Sequence, residues 1–120
     1  MNLLQLEING KTYGFKFGVK FVRELDKASP IERDGMNFGM ALAVKVIPEL
    51  QIANVATLSE VLYLANRTES PKISQGDLDN FIDEHEDIEA LFDSVIKEIS
   101  ESNTGKLVMK SLMKSMNLQA

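Results

Sequence analysis

The sequence predicts an α+β domain, mainly helical, with an N-terminal β-hairpin packed against a bundle of four to five helices. Three observations carry this. Asn9-Gly10 separates two runs in which apolar and polar residues alternate, and a type I′ hairpin turn needs residues that accept φ > 0 at both central positions. From Val19 onward, apolar residues recur at helical spacing between Pro, Gly and small polar breaks. The 120 residues suffice for one modest core, and with no Cys there is no disulfide framework, thiol nucleophile or cysteine zinc site.

With Asn9-Gly10 as the turn, Ile8 faces Lys11, Leu6 faces Tyr13 and Leu4 faces Phe15. Leu4, Leu6 and Ile8 then share a face with Tyr13, Phe15 and Phe17, while Gln5, Glu7, Thr12 and Lys16 take the other. A lone hairpin is marginal in water, so this face needs a cover. The next segment supplies one, with Phe21, Val22 and Leu25 inward and Lys20, Arg23, Glu24 and Lys27 outward.

Ala28–Gly35 reads as a loop. Met36–Ile47 reads as a helix that is apolar almost all round, either central or in contact with another chain, and Pro48 is expected to end it. A third helix is expected over Ala56–Arg67, with Thr57 as N-cap and Glu60 completing a capping box. Ser74 opens a helix over Gln75–Asp83 that buries Leu78, Phe81 and Ile82. Another, Asp87–Ser100, turns Ile88, Leu91, Phe92, Val95, Ile96 and Ile99 inward. Ser100–Gly105 is small and polar, the composition of a linker. Two units follow: a hairpin-plus-helices domain over 1–103, and a linker with a C-terminal amphipathic helix over 104–120.

The net charge of −5 argues against non-specific nucleic-acid binding. Charge is uneven: residues 1–105 carry −8, whereas 106–120 carry Lys106, Lys110 and Lys114 and no acid. Asp77–Glu101 holds ten acids and one base, Lys97. These acids lack the alternation and fixed Gly of a calcium loop, and none stands apart as a general acid would, so they read as a solvated helix face. His85 is the only His and lies in a polar segment, short of the ligands a zinc site requires. No phosphate-cradling glycine loop occurs, no cofactor or metal is expected, and no apolar run approaches the ~20 residues that span a bilayer. The N-terminus runs straight into a strand, so no signal peptide is expected.

The Met-rich tail offers two readings. Its face of Met109, Leu112, Met113 and Met116 either folds back on the core or forms an adaptable docking surface. Its lysines could also approach the acidic Asp77–Glu101 face of the same or a neighbouring subunit. With Met36, Phe38 and Met40, these four apolar residues are the candidate partner-binding residues.

The opening LEINGKTYGFKFGVKFVRELDK resembles the phage tail assembly chaperones of long-tailed phages infecting Gram-positive bacteria. The likeness rests on Asn9, Gly10, Phe15, Phe17, Gly18, Phe21, Glu24, Leu25 and Asp26, with support from LSEVLYLA and FIDEHEDIEALFDSVIKEI, and it covers about residues 3–100. It implies a non-enzymatic protein that binds the tape measure protein and shields its apolar helical segments until the tail tube polymerises. It further implies action in the host cytoplasm and absence from the mature virion. Self-association is expected from the apolar helix around Met36–Ile47 and the open hairpin edge. The alternatives are a structural or connector protein retained in the tail, and a small acid/base or metal-dependent enzyme using the Asp77–Asp93 acids.

Overall fold

A computed structural model describes residues 3–31 and 38–118, with the side chains of Leu112 and of residues 115–118 excepted. Strands β1, Leu3–Ile8, and β2, Lys11–Lys16, pair antiparallel, with Ile8 opposite Lys11, Leu6 opposite Tyr13 and Leu4 opposite Phe15. Asn9 and Gly10 have φ of 54° and 80°, the left-handed pair that a type I′ turn requires. Ile8, Tyr13 and Phe15 are buried, Leu4 and Leu6 half-buried, and Gln5, Glu7, Thr12 and Lys16 exposed. The predicted register and facing are therefore those of the fold.

Helix α1, Val19–Ala28, buries Phe21, Val22 and Leu25 as expected. The main cover of the hairpin comes from later in the chain: the helix over Val55–Asn66 packs on β2 and the helix over Ile88–Glu101 on β1. The Phe17 and Phe21 rings meet edge to face at 5.1 Å, the orientation that sets a ring's positive edge against a negative face. Near its end, Asp26 reaches across the chain. Its carboxylate accepts the backbone N–H groups of Gly39 (2.8 Å) and Ala41 (3.2 Å). Those are orphan donors at the start of the next helical segment, so α1 caps its neighbour from the side.

That segment differs from the expected Met36–Ile47 helix. Met36 and Asn37 lie outside the described residues, and Gly39 adopts φ 84° in a turn. The helical backbone starts at Met40, widens into a π-turn at Leu42–Val46, and continues as α2, Ile47–Gln51. Pro48 thus sits within the helix. In an α-helix its ring would press on the carbonyl four residues back, which lies in the π-turn, and the wider turn relieves that contact. Leu42, Ala43, Val46, Ile47 and Leu50 are buried, so the segment is the central one.

The following helix, α3, spans Val55–Asn66 and its N-cap is Asn54, whose side chain accepts from the Thr57 N–H. Thr57, the expected cap, instead donates its hydroxyl to Glu49. Lys45 also pairs with Glu49, at 3.3 Å. The Thr57 bond foremost, and Lys45 with it, hold the Glu49 carboxyl below its usual value of 4.5, while desolvation opposes them. A carboxyl with a depressed folded pKa contributes stability that is present above its unfolded pKa and is lost as pH falls through the folded one. Urea midpoints should therefore drop more steeply in wild type than in Glu49→Gln as the pH is lowered below 4.5. Parallel midpoints throughout the acid range would show that Glu49 gains nothing from its partners.

Helix α4, Gln75–Glu84, is N-capped by Ser74, and α5, Ile88–Glu101, by Asp87. Leu78, Ile82, Leu91, Phe92, Val95 and Ile99 are buried, while Phe81, Ile88 and Ile96 are half-buried at the margin. The expected linker is a joint instead: α5 runs to Glu101 and α6, Asn103–Leu118, begins after Ser102. The Ser102 hydroxyl donates to the Ile99 carbonyl (2.8 Å) and accepts from the Gly105 N–H (3.0 Å), tying both helices together. The chain is elongated, 48 × 25 × 25 Å.

Candidate protein-binding surface

Helix α6 sits against the body on one side. Gly105 and Val108 are buried and Met109 half-buried. Gly39 permits this approach, since a Cβ there would lie 2.7 Å from a Val108 methyl. The rest of the helix is turned outward. Leu107 is 63 % and Met113 60 % exposed, and Lys106, Lys110 and Lys114 are exposed with them. Phe38, 46 % exposed, precedes the glycine that abuts Val108, which places it beside α6.

The predicted partner-binding residues therefore divide. Phe38 and Met113 are on the surface and Met109 is half-docked. Met40 is buried, 5 % exposed, and packs inside the chain. Met36 lies outside the described residues, as do the side chains of Leu112 and Met116. Sequence reasoning passed over Val108, which docks α6, and Leu107, which does not. The methionines mark one apolar stripe of a helix whose docking also uses Val108 and whose outer side carries Leu107.

An open groove of about 1120 Å³ runs past the root of α6. Phe17, Val19 and Phe21 line one wall, Thr104 and Lys106 the other, and Val19 is half-exposed. A second groove, about 670 Å³, lies at the hairpin tip, with Ile8 and Phe81 among Glu7, Glu84, Glu86 and Asp87. His85 lines it too. Its Nδ1 accepts the Asp87 N–H at 3.2 Å and its ring meets Phe81 edge to face, so it shapes the α4–α5 turn. Among the described residues no group of three or more His, Asp or Glu side chains could hold a metal ion, and no helix is long and apolar enough to cross a membrane.

A surface of apolar side chains on a rigid body suits the binding of another protein. Comparison with known families agrees: the model of the phage tail assembly chaperone protein family, TAC, matches residues 5–114. The chain belongs to the phage tail assembly chaperones. No curated protein and no solved structure matches it. The chaperone family match reaches well into α6, beyond the part of the chain that carried the resemblance in sequence, so the docked helix belongs to the family's pattern. Chaperoning is a non-enzymatic role, and one served by a partner among phage tail proteins.

Proposed function

We propose that this tail assembly chaperone binds the tape measure protein and shields its apolar helical segments before the tail tube polymerises around it. It acts in the host cytoplasm and leaves before the virion is complete. The observation that supports this is the exposure of the large apolar side chains Phe38, Leu107 and Met113 in a member of a tail chaperone family. Exposed apolar side chains of this kind suit contact with an amphipathic helix, while the net charge of −5 helps keep a loaded complex in solution. Met36, Met109, Leu112 and Met116 remain candidate client contacts. In this reading residues 1–103 form the body, and 104–120 form an arm whose outer turns meet the client.

Co-expression with the tape measure protein encoded beside it tests the proposal. The client should become soluble and co-purify, and the double variant Leu107→Glu/Met113→Glu, at exposed positions, should recover much less of it without a change in its own melting. A client that stays insoluble would overturn the reading. Stoichiometric amounts of the chain in purified particles, measured by mass spectrometry, would favour the structural alternative.

A further inference from the structure

We propose that the outward face of α6 docks into the hairpin-tip groove of a second copy of this chain. At 3.6 residues per turn, Lys106, Lys110 and Lys114 form one row along α6, with Leu107 on one flank and Met113 on the other. All five side chains are exposed. The face is thus a basic stripe with two apolar edges, and it is opposite the side that Gly105 and Val108 press against the body.

The groove is its complement. Glu7, Glu84, Glu86 and Asp87 surround Ile8 and Phe81, and among the described residues no Lys or Arg lines it. Carboxylates around an apolar floor suit lysines whose stems lie along apolar surface while their heads reach charge. Within one chain the two surfaces do not meet. The ion pairs among the described residues are Lys27–Glu24 and Lys45–Glu49, and none involves an α6 lysine. Each chain therefore offers both halves of a contact that it does not itself close.

A second copy is the occupant that this charge pattern selects. The body carries −8 and repels most of a like chain, while the +3 of residues 106–120 is the segment it attracts. Because the two surfaces lie on different elements, copies can add head to tail or exchange helices reciprocally. A client helix that covers Leu107 and Met113 would compete with the contact. The inference does not rest on the identity of that client, and its test contains none.

Sedimentation of the full chain at low and high salt provides the test. Wild type should self-associate, and less so as salt screens the exposed charges. Lys110→Glu/Lys114→Glu and Glu84→Lys/Glu86→Lys each set like charges against like, and each should weaken association at least about tenfold. Mixing the two variants juxtaposes opposite charges at every contact and should restore association. Circular dichroism confirms that these surface variants fold. A monomeric wild type at high concentration, variants that associate as wild type does, or a mixture that stays dissociated would each overturn the proposal.

Discussion

Asn66→Leu should lower the unfolding free energy by about 3–5 kcal/mol, since leucine keeps the branched outline and the number of side-chain heavy atoms but is bulkier and carries no polar group. Asn66 is fully buried at the end of α3. Its Nδ2 donates to the carbonyls of Gly14 (2.9 Å) and Pro71 (3.1 Å). Its Oδ1 accepts from the Ile73 N–H (2.8 Å) and the Arg67 guanidinium (3.0 Å). One side chain thus fastens strand β2 and the 67–73 loop to the same helix. Leucine fills the space and answers none of these groups, and each buried polar group left alone costs about 1–3 kcal/mol. Domains of this size have only about 5–15 kcal/mol of stability in total. Urea denaturation measures the effect. A loss under about 1 kcal/mol would mean that water replaces the amide, and that Asn66 is not the fastening it resembles.

Nothing local in the sequence marks Asn66. An Asn near a helix end reads as a cap or a surface residue, and its partners lie up to 52 positions away. Asp26 was concealed in the same way, for it caps a helix that starts fourteen residues later. The hairpin was legible because its turn chemistry and its apolar alternation are both local and agree with each other. The cap Ser74 was legible for the same reason, whereas Asp87, read as the first residue of its helix, proves to be the cap.

The start of α3 was misplaced because ATLSE carries a capping-box pattern that the chain does not use. The preceding turn decides the matter. Ala53 takes φ 62°, its N–H donates to Leu50 (3.1 Å), and the Asn54 N–H donates to Glu49 (2.9 Å). This is the closing pattern that usually carries glycine. With Ala in that place, no residue signalled it. Pro48 misled in the opposite direction, because burial of Leu42, Val46 and Leu50 keeps the helix running past a residue that usually stops one.

For the binding surface, helical spacing gave the apolar stripes of α6 but not which of them docks. That choice belongs to Gly39 and Gly105, one distant in sequence and the other placed in an expected linker. Neither offers a periodic signal, since what each contributes is the absence of a side chain.

Gly105→Ala should destabilise the chain by about 2–3 kcal/mol, against the direction that helix propensity predicts. In an open helix, Gly to Ala gains up to about 1 kcal/mol. Gly76 provides that case: it lies in the first turn of α4, and nothing stands within 4 Å of the Cβ position. Gly105 lies in the first turn of α6, but a Cβ there would fall 1.9 Å from the Ile99 carbonyl oxygen and 2.7 Å from the Ser102 hydroxyl. The first contact is with backbone, so no rotamer change relieves it. The helix must swing away from α5, which loosens the Ser102 bonds and draws Val108 off Gly39. The α6 amides should then lose protection in hydrogen exchange while those of β2 and α3 keep theirs. Gly76→Ala should instead be neutral or slightly stabilising. If both variants gain stability alike, α6 stands away from α5 in solution and the docked joint is not its resting arrangement.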